Sequence, residues 1–128
     1  MTGNKLFIDT NILVFLLEYD KKIAEIINKY EIHISFITKI ELLCKPHLSK
    51  SEKNNILDLI KENCTIHEIN EDIVNQTIRI KSDYKLKIPD SIIAATAKTL
   101  NYPLLTADVE FQKLEKITTI NIYLRSND

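Results

Sequence analysis

Hydrophobic positions along the chain fall into short continuous runs, separated by stretches in which they recur every three or four residues. Lys5-Leu6-Phe7-Ile8 is a continuous run followed at once by Asp9-Thr10-Asn11, which predicts a buried strand ending in a helix-capping turn, with a helix through Leu17. Lys21 to Tyr30 is amphipathic and leads into Ile32-His33-Ile34-Ser35-Phe36, whose alternating β-branched residues predict the second strand. Thr38 to Lys45 predicts a short helix stopped by Pro46. Ser49 followed by Glu52 is a capping-box pattern, opening a helix with Ile56, Leu57 and Ile60 on its apolar side, and Thr65 to Ile69 is the expected third strand.

Asn70 is placed to cap a further helix, with Glu71 and Asp72 in its first turn and an end near Tyr84. A basic connector, Lys85 to Lys87, follows. Pro89 suits the first helical position of Asp90 to Leu100, and Asn101 the left-handed position that closes a helix. Leu104-Leu105-Thr106 is the fourth strand, Phe111 to Leu114 a short helix, and Thr119 to Leu124 the last strand. Strands alternating with helices, without hairpin turns, predict an α/β fold with a mostly parallel sheet covered on both faces. No repeat, low-complexity tract or linker divides the sequence, so residues 1–128 are expected to form one domain.

At 128 residues and 45% hydrophobic, such a chain can bury a core without staples. The single glycine, Gly3, stands at the start of the chain, which excludes phosphate-cradling and dinucleotide-binding glycine loops. Cys44 and Cys64 belong to no CxxC pair, so neither a disulfide framework nor a zinc site has support. No apolar run reaches membrane-spanning length, and Ile12 to Leu17 is too short for a signal sequence; a cytoplasmic location with reduced thiols is expected. Setting four acids aside from the formal net charge of −1 leaves a body of +3, a weak hint of a polyanionic substrate.

Those acids are Asp9, Glu41, Asp90 and Asp108. Asp9 directly follows the first strand and Asp108 lies two residues past the fourth; ligands of open α/β sheets bind beyond the carboxyl ends of strands, so both face one crevice if these strands are neighbours. Each alone has an ordinary reading, as a turn or capping acid. Glu41 shares a helical stripe with Ile37, Ile40 and Cys44, where packing wants carbon; its ordinary role would be an ion pair with Lys45, worth only about 0.2–0.5 kcal/mol. Asp90 shares a face with Ile93, Ala94 and Ala97, whereas helix-dipole compensation after Pro89 would not require that face. Four clustered carboxylates resist ionisation unless a cation joins them, and with no His or Cys among them the cation is hard: Mg²⁺ or Mn²⁺ rather than zinc. Such an ion activates water and steadies a phosphodiester displacement.

The blocks Phe7-Ile8-Asp9-Thr10-Asn11, Thr38-x-x-Glu41-Leu42, Pro89-Asp90-Ser91-Ile92-Ile93-Ala94-Ala95-Thr96-Ala97 and Leu105-Thr106-x-Asp108-x-Glu110-Phe111 resemble the PIN-domain family in order and spacing. The resemblance covers nearly the whole chain. It implies a three-layer α/β/α sandwich with a five-stranded sheet, and a Mg²⁺- or Mn²⁺-dependent ribonuclease leaving 5′-phosphate and 3′-hydroxyl ends. It further implies Asp9, Asp90 and Asp108 as metal ligands, Glu41 as ligand or as base orienting water, and Thr10, Asn11 and Thr106 in support. Glu110 matches an acid that only some members carry and reads better as a helix-start residue. A stand-alone PIN domain looks like the toxin of a VapBC-type toxin–antitoxin pair, which implies a homodimer and a cognate antitoxin. Lys39, Lys45, Lys85, Lys87, Lys98 and Lys113 are candidate RNA-phosphate contacts.

Two other readings compete. A phosphoacceptor receiver domain is also small, α/β and acidic at its strand ends, but it would carry adjacent acids after the first strand, where Asp9 stands alone. A PIN scaffold that binds without cutting is opposed by the retention of all four acids. His33, His47 and His67 lack ligand spacing, and the five tyrosines read as packing residues; neither set is assigned a function.

Overall fold

A computed structural model gives the structure and describes residues 4–125; Gly3 lies outside them. Its elements in chain order are β1 (Lys5–Ile8), α1 (Thr10–Leu17), α2 (Lys21–Lys29), β2 (Glu31–Ser35), α3 (Phe36–Leu43), α4 (Lys50–Asn63), β3 (Cys64–His67), α5 (Glu71–Tyr84), α6 (Ile88–Leu100), β4 (Leu104–Thr106), a 3-10 helix (Val109–Leu114) and β5 (Ile120–Ile122). The strands make one sheet in the order β3-β2-β1-β4-β5, with every pairing parallel. This order has β1 at its centre with β2 and β4 on either side, unlike the 2-1-3-4-5 order of receiver domains, and so removes that alternative.

Successive strand residues feed opposite layers. Leu6, Ile8, Ile32, Ile34 and Leu105 pack with the helix residues Ile12, Ile23 and Ile56, whereas Phe7 and Leu104 pack with Ile73, Ile80 and Ile93. The result is a three-layer sandwich with two cores. Helix α6 is buried from Ser91 to Ala97, and its alanines admit close packing against the sheet on one side and α5 on the other. No helix among the described residues is long and apolar enough to cross a membrane.

Several expected boundaries shift, each for a local reason. Strand β2 ends at Ser35 because the Ser35 hydroxyl accepts from the Ile37 amide and starts α3 at Phe36, two residues before the expected Thr38. That helix ends at Leu43, before Pro46 and without Lys45. Both faces of β2 are covered, so from Ile32 to Ser35 it is continuously buried rather than alternating. Strand β3 runs Cys64–His67 rather than Thr65 to Ile69, because its partner β2 ends opposite His67. The Ser49–Glu52 capping box forms, but Leu57 is exposed and only Ile56 and Ile60 of the expected apolar side are buried. Pro89 is the second residue of α6, whose first turn begins at Ile88. The expected short helix is the 3-10 helix begun by Asp108, and β5 is trimmed to Ile120–Ile122.

Candidate active site

Pairing of β1 with β4 brings the carboxyl ends of these two strands together at the point where chain order along the sheet reverses, the usual crevice of an open α/β sheet. Asp9 leaves β1 in extended conformation (ψ 161°) and caps α1, its Oδ1 accepting from the Thr10 amide at 2.7 Å. Its Oδ2 accepts from the Thr106 hydroxyl, also at 2.7 Å, and that hydroxyl oxygen in turn accepts from the Asp108 amide at 3.0 Å. One buried threonine thus ties together the acids that follow β1 and β4. Asn11 adds a second tie, its Oδ1 accepting from the Ala107 amide at 3.3 Å. The Asp108 carboxylate is held by the Glu110 amide at 2.9 Å.

Glu41 arrives from α3 by another route. The helix buries Thr38 and Leu42, while Ile40, Glu41 and Cys44 are exposed, so the packing stripe expected to hold Glu41 does not exist. The carboxylate instead accepts from the Thr10 hydroxyl at 2.6 Å, and no ion pair with Lys45 forms among the described residues. Thr10 lies 3.0 Å, oxygen to oxygen, from the Thr38 hydroxyl. The quoted Thr38-x-x-Glu41 spacing contained this threonine, but a hydroxyl on a helix gives no sign in sequence of which way it points. Asp90 stands in the first turn of α6, half-buried beside a face formed by Ile93, Ala94 and Ala97, as its spacing predicts.

Electrostatics join the four acids. Asp9 is 5% exposed, and burial first, with the charges of Asp90 and Glu41 adding to it, pushes its pKa up to about 6 against the pull of its hydrogen bonds to Thr106 and Thr10. Asp90 is also raised, by burial and then by Asp108 and Glu41, with Lys87 opposing. The acids therefore sense one another, yet among the described residues no three His, Cys, Asp or Glu side chains are gathered tightly enough to form a finished metal cage. The donor set consists of carboxylate oxygens, which suits a hard divalent cation, so the residues fit the ion in chemistry.

The other named residues are scattered. Glu110 is exposed and pairs with Lys113 at 2.6 Å, in keeping with its reading as a helix-start residue. Lys98 sits beside Arg79 near the C-terminal end of α6, away from Asp90, and Lys45 lies near Val14 and Leu48. Lys85, in left-handed conformation (φ 58°), closes α5, and Lys87 precedes α6 with its charge near enough to Asp90 to oppose the rise in that acid's pKa. His33 and His67 meet each other at 2.8 Å within the sheet. Tyr102 packs on His33, whereas Tyr19 is 91% exposed and Tyr30 is also exposed, against their reading as packing residues. Cys44 and Cys64 are free, and burial pushes the Cys64 thiol up to about 12, so it stays protonated and inert.

The family described as PIN domain matches residues 6–117. Among solved structures, a chain of a toxin–antitoxin complex from Klebsiella pneumoniae is 27% identical, with a TM-score of 0.74 over 91% of this chain and 95% of that one. A chain of VapBC-1 from nontypeable Haemophilus influenzae is 25% identical, with a TM-score of 0.78 over 91% of this chain and 96% of that one. One from DNA-bound VapBC of Salmonella typhimurium has a TM-score of 0.79 over 94% and 98% of the two chains, and at 20% identity supports the fold alone. No curated protein matches by sequence.

Proposed function

The chain belongs to the PIN-domain family, and from that premise we propose that it is a metal-dependent endoribonuclease, the toxin of a VapBC-type toxin–antitoxin pair. Nuclease chemistry is supported by the family match and by likeness to toxin–antitoxin chains at 25% and 27% identity. The observation that carries the reading is Asp9: an almost fully buried carboxylate at a strand end that meets a hydroxyl and an amide, with no Lys or Arg paired to it among the described residues. A purely structural acid so placed would want a cation, and three further acids are the wrong company.

In this reading Asp9, Asp90 and Asp108 hold Mg²⁺ or Mn²⁺, and Glu41 is a further ligand or the base that orients the attacking water. The ion, when bound, lowers the pKa of water and stabilises negative charge on phosphodiester oxygens. The protein supplies position. The Thr10 amide and Thr106 hydroxyl fix both Asp9 oxygens while leaving each lone-pair capacity for another partner, and the Thr10 hydroxyl holds Glu41. Hydrolysis leaves 5′-phosphate and 3′-hydroxyl ends. Lys87, near Asp90, and Lys85, two residues before Lys87, suit contact with RNA phosphates.

Likeness to chains of toxin–antitoxin complexes supports a cognate antitoxin as partner, and self-association into a dimer belongs to the same reading. Purified protein freed of any partner should cut RNA with Mg²⁺ or Mn²⁺ and not in excess chelator. Full cutting in chelator overturns the metal role. RNA that is bound but never cut with any divalent ion makes the chain a non-cleaving scaffold instead.

A further inference from the structure

Glu41 has no packing reason to stay where it is. Its helix position faces solvent, and a glutamate side chain left free explores many rotamers. What holds it is one hydroxyl, that of Thr10, which has a single proton to give. Thr10 has two neighbours that could take that proton: Oε1 of Glu41 at 2.6 Å and the hydroxyl of Thr38 at 3.0 Å. If Thr38 donates its own proton to Thr10, it no longer competes as an acceptor and the Thr10 proton is left for Glu41.

Thr38 is completely buried and stands in the first turn of α3, three residues before Glu41. Two other helical threonines, one buried and one half-buried, behave differently. Thr77 and Thr96 each donate back to the carbonyl four residues earlier, Ile73 and Ile92, both at 2.7 Å. Thr38 is too near the start of its helix for that, since the residue four before it belongs to β2, and its hydroxyl meets Thr10 alone among the described residues.

We propose that Thr38 is a positioning residue: by donating to Thr10 it commits the Thr10 proton to Glu41 and so fixes the one acid of the cluster that packing does not fix. The inference rests on the metal-nuclease reading for its consequence, and on geometry alone for its mechanism. Hydrogen bonds in such a chain polarise one another, so the Thr10–Glu41 bond is strengthened by the one behind it.

The test uses Thr38→Val, which keeps shape and loses the hydroxyl, and Thr38→Ser, which keeps the hydroxyl. In metal-free protein, Glu41 side-chain order is read by crystallography or by NMR couplings. Thr38→Val should release Glu41 into several rotamers, and Thr38→Ser should hold it. Mn²⁺ affinity should fall roughly tenfold in Thr38→Val, the lower end of what outer partners of metal ligands are worth, and return in Thr38→Ser. Against a Glu41→Gln background Thr38→Val should cost nothing further, because the loss passes through Glu41. A fixed Glu41 with wild-type Mn²⁺ affinity in Thr38→Val overturns the proposal, since the buried hydroxyl would then merely be satisfied. If Glu41→Gln itself binds Mn²⁺ like wild type, the assignment of Glu41 to the metal fails, and the Glu41 rotamers alone still decide whether Thr38 positions it.

Discussion

The Thr106 hydroxyl donates to Oδ2 of Asp9 at 2.7 Å, joining residues 97 apart in sequence across the β1–β4 pairing. Thr106 is fully buried, so Thr106→Val keeps its volume while leaving an oxygen of Asp9 without its partner. A lost buried hydrogen bond of this kind costs about 1–3 kcal/mol, and loss of a ligand-orienting partner about 10–100-fold in activity. Thr106→Ser should recover most of both. Chemical denaturation and single-turnover RNA cleavage measure the two effects; wild-type cleavage by Thr106→Val would detach Thr106 from the site.

Asp9 gives the sign of a pH dependence. Its folded pKa is raised from 3.8 to about 6, so the folded state holds the proton more tightly than the unfolded one. The stabilising contribution is present below the unfolded value and is lost as pH rises through about 6, by at most ~3 kcal/mol for a shift of that size. In chelator, wild type should therefore lose stability between about pH 4 and pH 7 and Asp9→Asn should lose less. Bound metal reverses the order, adding about 2.7 kcal/mol to wild type at a hundredfold excess over its dissociation constant. Equal responses of the two proteins to pH and to Mn²⁺ would remove Asp9 from the metal site.

Asp90→Asn and Asp108→Asn should each lower RNA cleavage by orders of magnitude without unfolding the protein. Asp90→Asn should also be as stable as wild type in chelator, or more so, because it removes a charge that Asp108 and Glu41 repel. A capping role alone would make it slightly less stable with or without metal, by about 0.3–1 kcal/mol. Thermal melts in chelator and in Mn²⁺ separate the two.

His67 titrates in the opposite sense to Asp9. Burial, and then the charge of His33, hold its pKa below 6.5, so the contribution of its neutral form is present above that value and is lost as pH falls below it. The facing nitrogens of His33 and His67 are 2.8 Å apart and share one hydrogen; protonating both rings sets two N–H groups against each other. Glu31 takes the other nitrogen of His33 at 2.7 Å, the Tyr102 ring covers His33, and Phe7 lies against His67. In an Asp9→Asn background, the urea midpoint should drop between about pH 7 and pH 5, and His67→Gln should flatten the drop. A parallel drop in both would place the acid sensitivity elsewhere.

RNA binding by an inactive variant should weaken steeply with salt, with a slope near −0.7 per phosphate neutralised on a single strand. Combined replacement of Lys85 and Lys87 should flatten the slope by about 1 to 2 phosphates' worth, while replacement of Lys113, already paired with Glu110, should change little. An unchanged slope in the double variant removes the connector from the RNA surface.

Elements with strong local signals were legible in sequence: the Ser49 capping box, the Asn70 cap, Asn101 in left-handed conformation, and the strands Lys5–Ile8 and Leu104–Thr106. Two acids at strand ends became neighbours because β1 and β4 pair, as the strand-end argument required. Less legible was anything decided by a distant partner. Strand β3 stops where β2 stops, and Glu41 reaches the other acids through a hydroxyl on α1 rather than through the packing stripe its spacing suggested. His33 and His67 lie 34 residues apart on adjacent strands, and no spacing rule joins them.

The central place of β1 also sets when the cleft can exist. Its neighbour β4 lies nearly a hundred residues later, and Asp9 and Thr106 are 97 positions apart. At roughly 5–20 residues per second, a ribosome needs on the order of 5–20 s to travel between them. Throughout that interval the nascent chain carries Asp9 with an unpaired edge of β1 beside it and neither the Thr106 partner nor Asp108. On the proposed ribonuclease reading, a growing chain has an incomplete acid cluster, and so no cleft in which to cut, until β4 emerges and closes the gap.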